Sequence, residues 1–227
     1  MQDKKHIVIL TGAGISAESG LKTFRDSDGL WMGYDLEEVA TVSGFIKNPK
    51  LVLDFYNMRR NEVALASPNA AHYGLAKLEE KYKVTVITQN IDDLHERGGS
   101  SNVIHLHGEI FKKCSSLNQD IVVDCHNDIN IGDLCEDGSQ YRPFVVWFGE
   151  SVPMISIAAD IVNTADIFIV IGTSLSVYPA ASLLSEAGAN IPKYLIDNNP
   201  PAINNNDIKV ISKTAGEGVA ELLTYLL

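Results

Sequence analysis

The sequence predicts an α/β protein, with a parallel sheet carrying helices on both faces and a smaller inserted lobe. Three observations carry this expectation. Short apolar runs alternate with segments of helical period over most of the 227 residues. The strand candidates are mostly apolar, without the alternation of a half-exposed sheet, as expected of strands buried on both faces. Two polar stretches, 26–44 and 112–142, interrupt the alternation without a sustained period of their own.

Taken in order, His6 to Leu10 is an apolar run ending in a glycine-rich turn, and reads as a buried strand. Pro49 to Ala66 is helical, because Val52, Phe55, Tyr56 and Arg59 recur at spacings of three and four and share a face. Pro68 to Tyr82 repeats the pattern, with proline at its start, where a missing N–H costs nothing. Val84 to Thr88, Val103 to Leu106, Phe144 to Trp147, Asp166 to Ile171, Lys193 to Asp197 and Ile208 to Ile211 are further strand candidates. Pro179 to Ala187 and Gly216 to Leu227 read as the last helices. The two polar insertions form the second lobe, and a cleft between lobes is where a ligand is expected.

Composition excludes several classes. With 45% hydrophobic and 21% charged residues, the chain is neither collagenous nor disordered. Eighteen Lys and Arg against 29 Asp and Glu give a net charge of −11. Such a surface repels a phosphate backbone and an anionic leaflet, so neither nucleic acid nor membrane is an expected partner. Lysine-rich protein segments suit it better. The apolar runs are too short to span a bilayer. Met1 to His6 leads into only four apolar residues before Thr11, too few for a signal-peptide core, so a cytoplasmic location is expected. Three cysteines, Cys114, Cys125 and Cys135, make an odd and sparse count that favours reduced thiols.

Chemistry enters at Thr11-Gly12-Ala13-Gly14-Ile15-Ser16-Ala17, which comes directly after the first strand. Read as G-x-G-x-x-A, it lets backbone amides approach a pyrophosphate. The same pattern fits a tight turn without any ligand. A dehydrogenase fingerprint also wants an acidic residue about 20 positions on, after a second strand. Glu37 and Glu38 lie near that distance but come after a loop.

The turn continues as Gly20-Leu21-Lys22-Thr23-Phe24-Arg25-Asp26. Further along stand Thr88-Gln89-Asn90-Ile91-Asp92, His105-Leu106-His107-Gly108-Glu109, Val145-Val146-Trp147-Phe148-Gly149-Glu150, Gly172-Thr173-Ser174 and Asp197-Asn198-Asn199-Pro200. This ordered set resembles the sirtuin family of NAD-dependent protein lysine deacylases, most of all its bacterial CobB-type branch and the class III sirtuins. The resemblance implies a Rossmann-like NAD-binding domain from 1–25, 85–111 and 143–227. It places 26–84 as the helical part of the small lobe with connecting helices, and 112–142 as its degenerate zinc-lobe insertion. NAD is then consumed: the acyl oxygen attacks C1′ of the nicotinamide ribose, nicotinamide leaves, and free lysine and O-acyl-ADP-ribose are the products.

The same resemblance implies the site roles. Gly12, Ala13, Gly14, Ser16 and Ala17 form the phosphate turn, with Thr23, Phe24, Arg25 and Trp31 over the cleft. Gln89, Asn90, Ile91 and Asp92 face the ribose and nicotinamide. Gly172, Thr173 and Ser174 meet a phosphate or ribose, and Asn198 and Ala215 the adenosine end. Val146, Trp147, Phe148 and Gly149 offer an edge to which an acyl-lysine segment adds as a strand, and Glu150 faces basic residues beside the target lysine.

His107 is the expected general base, since a near-neutral imidazole can take a proton from a ribose hydroxyl. His105 and His107 alternate on one face of a strand, and Gly108 leaves room for a substrate. A lone histidine is more often structural, and it is the family motif that selects this one. His105 is its structural partner or a substrate-proximal neighbour. Tyr56 and Arg59, one helical turn apart, match the class III Y-x-x-R pattern. A guanidinium grips a succinyl or malonyl carboxylate with two parallel hydrogen bonds while the phenol donates a third. With an acetyl group, the same arginine would be a buried cation without a partner. Removal of succinyl and malonyl groups is expected, and of acetyl as well.

The resemblance fails at the structural zinc, which sirtuins typically hold with two C-x-x-C pairs. Cys114 is succeeded by Ser115-Ser116-Leu117 and Cys135 by Glu136-Asp137-Gly138, so both pairs are broken. Cys114, Cys125, His126 and Cys135 count to four, but adjacent Cys-His suits a tetrahedral ion poorly, and no metal is expected. Three rival functions differ in what they release. An NAD-dependent oxidoreductase keeps nicotinamide attached, a glycohydrolase or ADP-ribosyltransferase releases it without acyl-lysine, and an ADP-ribose-binding module needs no base.

Overall fold

All six residues of His6–Thr11 are buried and form the strand β1. The computed structural model describes residues 4–22, 30–201 and 207–227. After β1 comes a single-turn ribbon, β2 (Leu30–Trp31) and β3 (Tyr34–Asp35), then helices α1 (Leu36–Val39), α2 (Val42–Lys47), α3 (Pro49–Leu65) and α4 (Ala70–Lys77). Next in the chain are β4 (Lys83–Thr88), α5 (Leu94–Arg97), β5 (Val103–His105), β6 (Gly108–Ser115), β7 (Val122–Asp124) and β8 (Tyr141–Val145). The remaining elements are α6 (Ile155–Asn163), β9 (Ile167–Ile171), α7 (Leu183–Glu186), β10 (Lys193–Ile196), β11 (Ile208–Ile211) and α8 (Ala215–Leu226).

Six strands form one sheet in the order β11-β10-β9-β1-β4-β5, every pair parallel. This is the Rossmann-like order, and the direction of progression reverses between β1 and β9, where such sheets bind their ligands. Successive side chains of β1 serve opposite faces. Ile7 and Ile9 pack with Ala71 and Leu75 of α4 and with Val219 and Leu222 of α8. Val8 and Leu10 pack with Ala158 and Val162 of α6 and Leu183 of α7. Each fully buried aliphatic side chain contributes about 1.5–3 kcal/mol of transfer free energy. Two-sided burial is why these strands lack the alternation of a half-exposed sheet.

The smaller lobe is organised differently. β6, β7 and β8 make a separate antiparallel sheet in the order β7-β6-β8. Phe144 to Trp147 is therefore not a strand of the parallel sheet. The strand there is β8, it stops at Val145, and its partner is β6. α3 packs Phe55, Tyr56 and Val63 against Trp31, Ile110, Val145 and Trp147. Residues 70–77, within the stretch expected to hold small-lobe and connecting helices, pack as α4 under the parallel sheet, where their apolar face meets α8. Pro68 to Tyr82 resolves into α4 and a 3-10 turn at Leu78–Glu80. The helix α6 has no counterpart among the expected elements.

Two buried histidines tie α4 to the sheet. His72 closes the capping box of α4, its Nδ1 accepting from the Asn69 N–H at 3.2 Å. His95 lies 2.9 Å from the Thr11 hydroxyl, which itself donates to Thr88. The two rings meet edge to face at 4.9 Å, and His72 Nε2 and His95 Nδ1 have no hydrogen-bond partner among the described residues. Burial lowers His72 from 6.5 to about 4 and holds His95 well below its ordinary value. An unfolded chain would bind these protons from pH 6.5 downward, so stability is lost as pH falls from 6.5 towards 4. His72 alone should cost about 2 kcal/mol between pH 7 and pH 5. His72→Gln keeps a capping-box side chain but cannot titrate. Urea unfolding of both proteins at the two pH values checks this: their stability difference should change by that amount, and a constant difference would sink the assignment.

Candidate active site

The carboxyl ends of β1, β4, β9 and β10 open onto one cleft of about 780 Å³. Its floor is the glycine turn. Gly12 donates to the Ile171 carbonyl at 3.0 Å and Gly14 to the Gly172 carbonyl at 2.8 Å. Gly172 has φ +63°, and a Cβ on Gly14 would sit 2.7 Å from the Gly172 Cα. Both glycines are thus demanded first by contact between the ends of β1 and β9. The chain then winds into a 3-10 turn, Ala13–Ser19, closed by Gly20 at φ +86°.

This turn is fastened at both sides. Asn69 donates its side-chain N–H to the Ile15 carbonyl at 2.7 Å. The Glu18 carboxylate accepts from the Gly216 N–H at 2.7 Å and from the Thr214 hydroxyl at 3.2 Å, at the start of α8. Ser16 donates to Asp92 Oδ2 at 3.0 Å and accepts from the Asn90 side chain at 3.1 Å. Burial raises the Asp92 carboxyl above the ordinary range, against its bonds from the Leu94 N–H and Ser16. The Gln89 side-chain N–H reaches the Thr173 hydroxyl at 3.2 Å, bridging the ends of β4 and β9.

His107 stands on the cleft wall. Its Nδ1 lies 2.9 Å from the Gln89 carbonyl, which can only accept, so Nδ1 carries the proton and Nε2 the lone pair. Burial lowers its pKa, partly countered by that hydrogen bond. The ring is a neutral base at pH 7. His105 does not share its strand: β5 ends at His105, and the chain turns through Leu106 and His107 to Gly108, φ +81°. His105 points away to Glu96, 2.8 Å from its Nε2, and to the Asn90 carbonyl. Burial lowers the His105 pKa, but Glu96 outweighs it and the net shift is upward. Gly108 makes room for the backbone at Phe144, not for a substrate.

The segment after β8 is held rigidly. Trp147 is buried, donates Nε1–H to the Tyr56 hydroxyl at 3.0 Å, and lies 3.4 Å below the Arg142 guanidinium. Glu150 lines the cleft, forms an ion pair with Arg142 at 2.7 Å and accepts from the Trp147 N–H. The amides of Val146 and Phe148 go to the His107 and Ala40 carbonyls. An added strand would therefore use the Val146 carbonyl and the Gly149 N–H, which have no backbone partner among the described residues.

Tyr56 and Arg59 share one wall of the cleft with Trp31 and Val63. Burial is the main cause of an upward shift of the Tyr56 phenol, so it stays a donor. Arg59, 6% exposed, sits 5.3 Å from the Trp31 ring centre and 2.9 Å from Glu62. Glu62, one helical turn on, partners it even without an acyl carboxylate.

Every expected site residue among those described lines this cleft, from Gly12, Ala13, Gly14, Ser16, Ala17 and Trp31 through Gln89, Asn90, Ile91, Asp92 and His107 to Gly172, Thr173, Ser174, Asn198 and Ala215. Thr23, Phe24 and Arg25 lie outside the described residues. Sequence reasoning missed Glu18, Tyr178, Asp197 and Thr214 on the same walls; a polar residue directly after a parallel strand was the signal for Asp197. The possible metal donors do not converge. Cys114 Sγ approaches the Pro143 carbonyl, Cys125 Sγ the Asn127 carbonyl, and His126 stacks on Phe111 at 5.1 Å. Among the described residues no three His, Cys, Asp or Glu side chains could hold an ion.

Comparison with known proteins agrees with this geometry. The Sir2 family model matches residues 12–179. An NAD-dependent protein deacylase of Helicobacter pylori is 50% identical over 226 residues, covering 98% of both chains. One from Bacteroides thetaiotaomicron is 50% identical over 230 residues, again 98% of both. The structure of a Sir2 homologue in complex with NAD superposes with a TM-score of 0.87 at 40% identity, over 98% of this chain and 90% of that one. A Sir2 protein bound to an acetylated peptide superposes with a TM-score of 0.80 at 31% identity, over 98% and 93%.

Proposed function

The chain belongs to the Sir2 family, and from that premise we infer how its cleft works as an NAD-dependent protein-lysine deacylase. The observation that carries the reading is His107, neutral, with its Nδ1 proton fixed on Gln89 and its Nε2, on the cleft wall, without a partner among the described residues. The donor set suits NAD. Close packing of Gly12 and Gly14 on Gly172 leaves a floor without side chains where a pyrophosphate fits. Ser16, Asn90 and Asp92 form a buried polar cluster for the nicotinamide ribose, and Asn198 with Ala215 receives the adenosine end. When bound, NAD supplies an electrophilic ribose carbon with nicotinamide as leaving group.

The protein's own residues orient, desolvate and move a proton. Nε2 of His107 accepts the proton of a ribose hydroxyl. The hydrogen bond from Nδ1 to Gln89 steadies the imidazolium that results. Val146 and Gly149 align the substrate backbone, by addition of a strand at the Val146 carbonyl and the Gly149 N–H. Tyr56 and Arg59 receive the distal end of the acyl group, so that succinyl and malonyl are taken with acetyl.

Nicotinamide release, measured with and without acetyl-, malonyl- and succinyl-lysine peptides, tests the reading. Release should depend on peptide, and peptide-independent release would instead favour a glycohydrolase. We also propose that the small lobe folds without zinc. Where a second thiolate of each pair is missing, Ser115 accepts from the Leu117 and Asn118 amides at 3.0 and 2.9 Å and bonds Asp137 and Ser139. That hydrogen-bonded knot replaces a metal clip with side chains of this chain. Protein purified without added metal should contain far less than one zinc per chain, and near-stoichiometric zinc would overturn the proposal.

A further inference from the structure

We propose that Glu62 is a resident counter-anion of the acyl pocket and sets its preference between acidic and neutral acyl groups. The proposal rests on the reading of Arg59 as the carboxylate clamp. Arg59 is almost wholly buried, its side chain 7% exposed, whereas that of Glu62 is 39% exposed. Their contact is a single one, Nη1 to Oε2 at 2.9 Å, and Nη1 also meets the Met32 sulfur at 3.5 Å. Arg59 Nε is buried without a partner among the described residues. Arg59 lines the cleft and Glu62 does not. The pair therefore places the anion on the outer side of a guanidinium whose Nε has no partner among the described residues.

Charge alone has two effects here. A neutral acetyl group leaves Arg59 buried, and a buried cation without an anion is costly. Glu62 removes that cost, so acetyl-lysine is accepted. A succinyl or malonyl carboxylate meets a cation already half neutralised and must share it with a like charge. Because Glu62 is partly solvated, its hold is modest, and the carboxylate can compete without excluding it. Glu62 thus levels the two substrate classes, where the clamp alone would favour the acidic one.

The test is kcat/KM for succinyl- and acetyl-lysine peptides of one sequence, in wild type, Glu62→Gln, Arg59→Met and the double variant. Glu62→Gln should raise the succinyl-to-acetyl ratio about five- to tenfold, chiefly through a lower KM for the succinyl peptide. Structural damage would not produce that gain. Glu62→Ala should act in the same direction. In the Arg59→Met background the Glu62 change should have no effect on the ratio. If Arg59→Met selectively loses succinyl activity but Glu62→Gln leaves or lowers the ratio, the counter-anion proposal fails and the clamp stands. If Arg59→Met leaves the ratio unchanged, both fail.

Discussion

His107→Ala is expected to lower kcat by about 10²–10⁴-fold, with the dissociation constant for NAD changed far less. The reasoning begins with the tautomer. Because the Gln89 carbonyl fixes the proton on Nδ1, the only basic atom His107 offers the cleft is Nε2. Among the described residues the two nearest candidates are engaged elsewhere: His105 is turned to Glu96, and Asp92 is buried with both oxygens bonded by Ser16 and Leu94. The pH dependence has a definite sign. A base works unprotonated, and burial holds His107 below 6.5. For the wild type, kcat/KM should stay level through neutrality and fall only below pH 6.5. An acid limb centred above 6.5, or an alanine variant retaining a tenth of the activity, would remove His107 from the role.

Arg59→Met should cost succinyl- and malonyl-lysine about 2–5 kcal/mol in kcat/KM, roughly 30- to 5,000-fold, and largely spare acetyl-lysine. Methionine keeps most of the volume beside Trp31, so the change removes charge and donors more than packing. The magnitude rests on desolvation: a guanidinium 6% exposed meets a carboxylate with little water between them. Tyr56→Phe should do less, since it deletes one donor while the ring keeps its edge contacts with Trp31 and Phe55. Its loss also strands the Trp147 N–H, which blurs a purely chemical reading. Equal losses on acidic and neutral acyl groups in Arg59→Met would end the clamp assignment.

What the sequence disclosed depended on how local the cause was. β1 and β9 announce themselves because burial on both faces forces four or five consecutive apolar residues. The glycine turn was visible because no other residue tolerates contact with Gly172. β6 was not visible: Glu109, Lys112 and Lys113 interrupt any alternation, and its partner β8 lies some thirty residues on. The separate fates of His105 and His107 hang on the turn at Gly108, so a two-residue spacing mimicked a continuation of β5 that is not there. The pairing of Glu150 with Arg142 and that of Arg59 with Glu62 are side-chain choices made among packed neighbours, and composition carries no trace of either.

The bond from Glu18 to the head of α8 has a temporal side. It joins the first strand's turn to residues 214–216, almost two hundred positions later. Ala215 also forms one wall of the cleft, and Val219 and Leu222 close one face of the sheet. A chain growing from its amino end therefore presents its glycine turn long before the anchor exists. Until α8 has docked, the exposed Glu18 carboxylate is left to water beside the glycine turn. Arrival of the helix turns that carboxylate into a cap. Docking of α8 is thus expected to precede the binding of NAD in the cleft that Ala215 helps to wall.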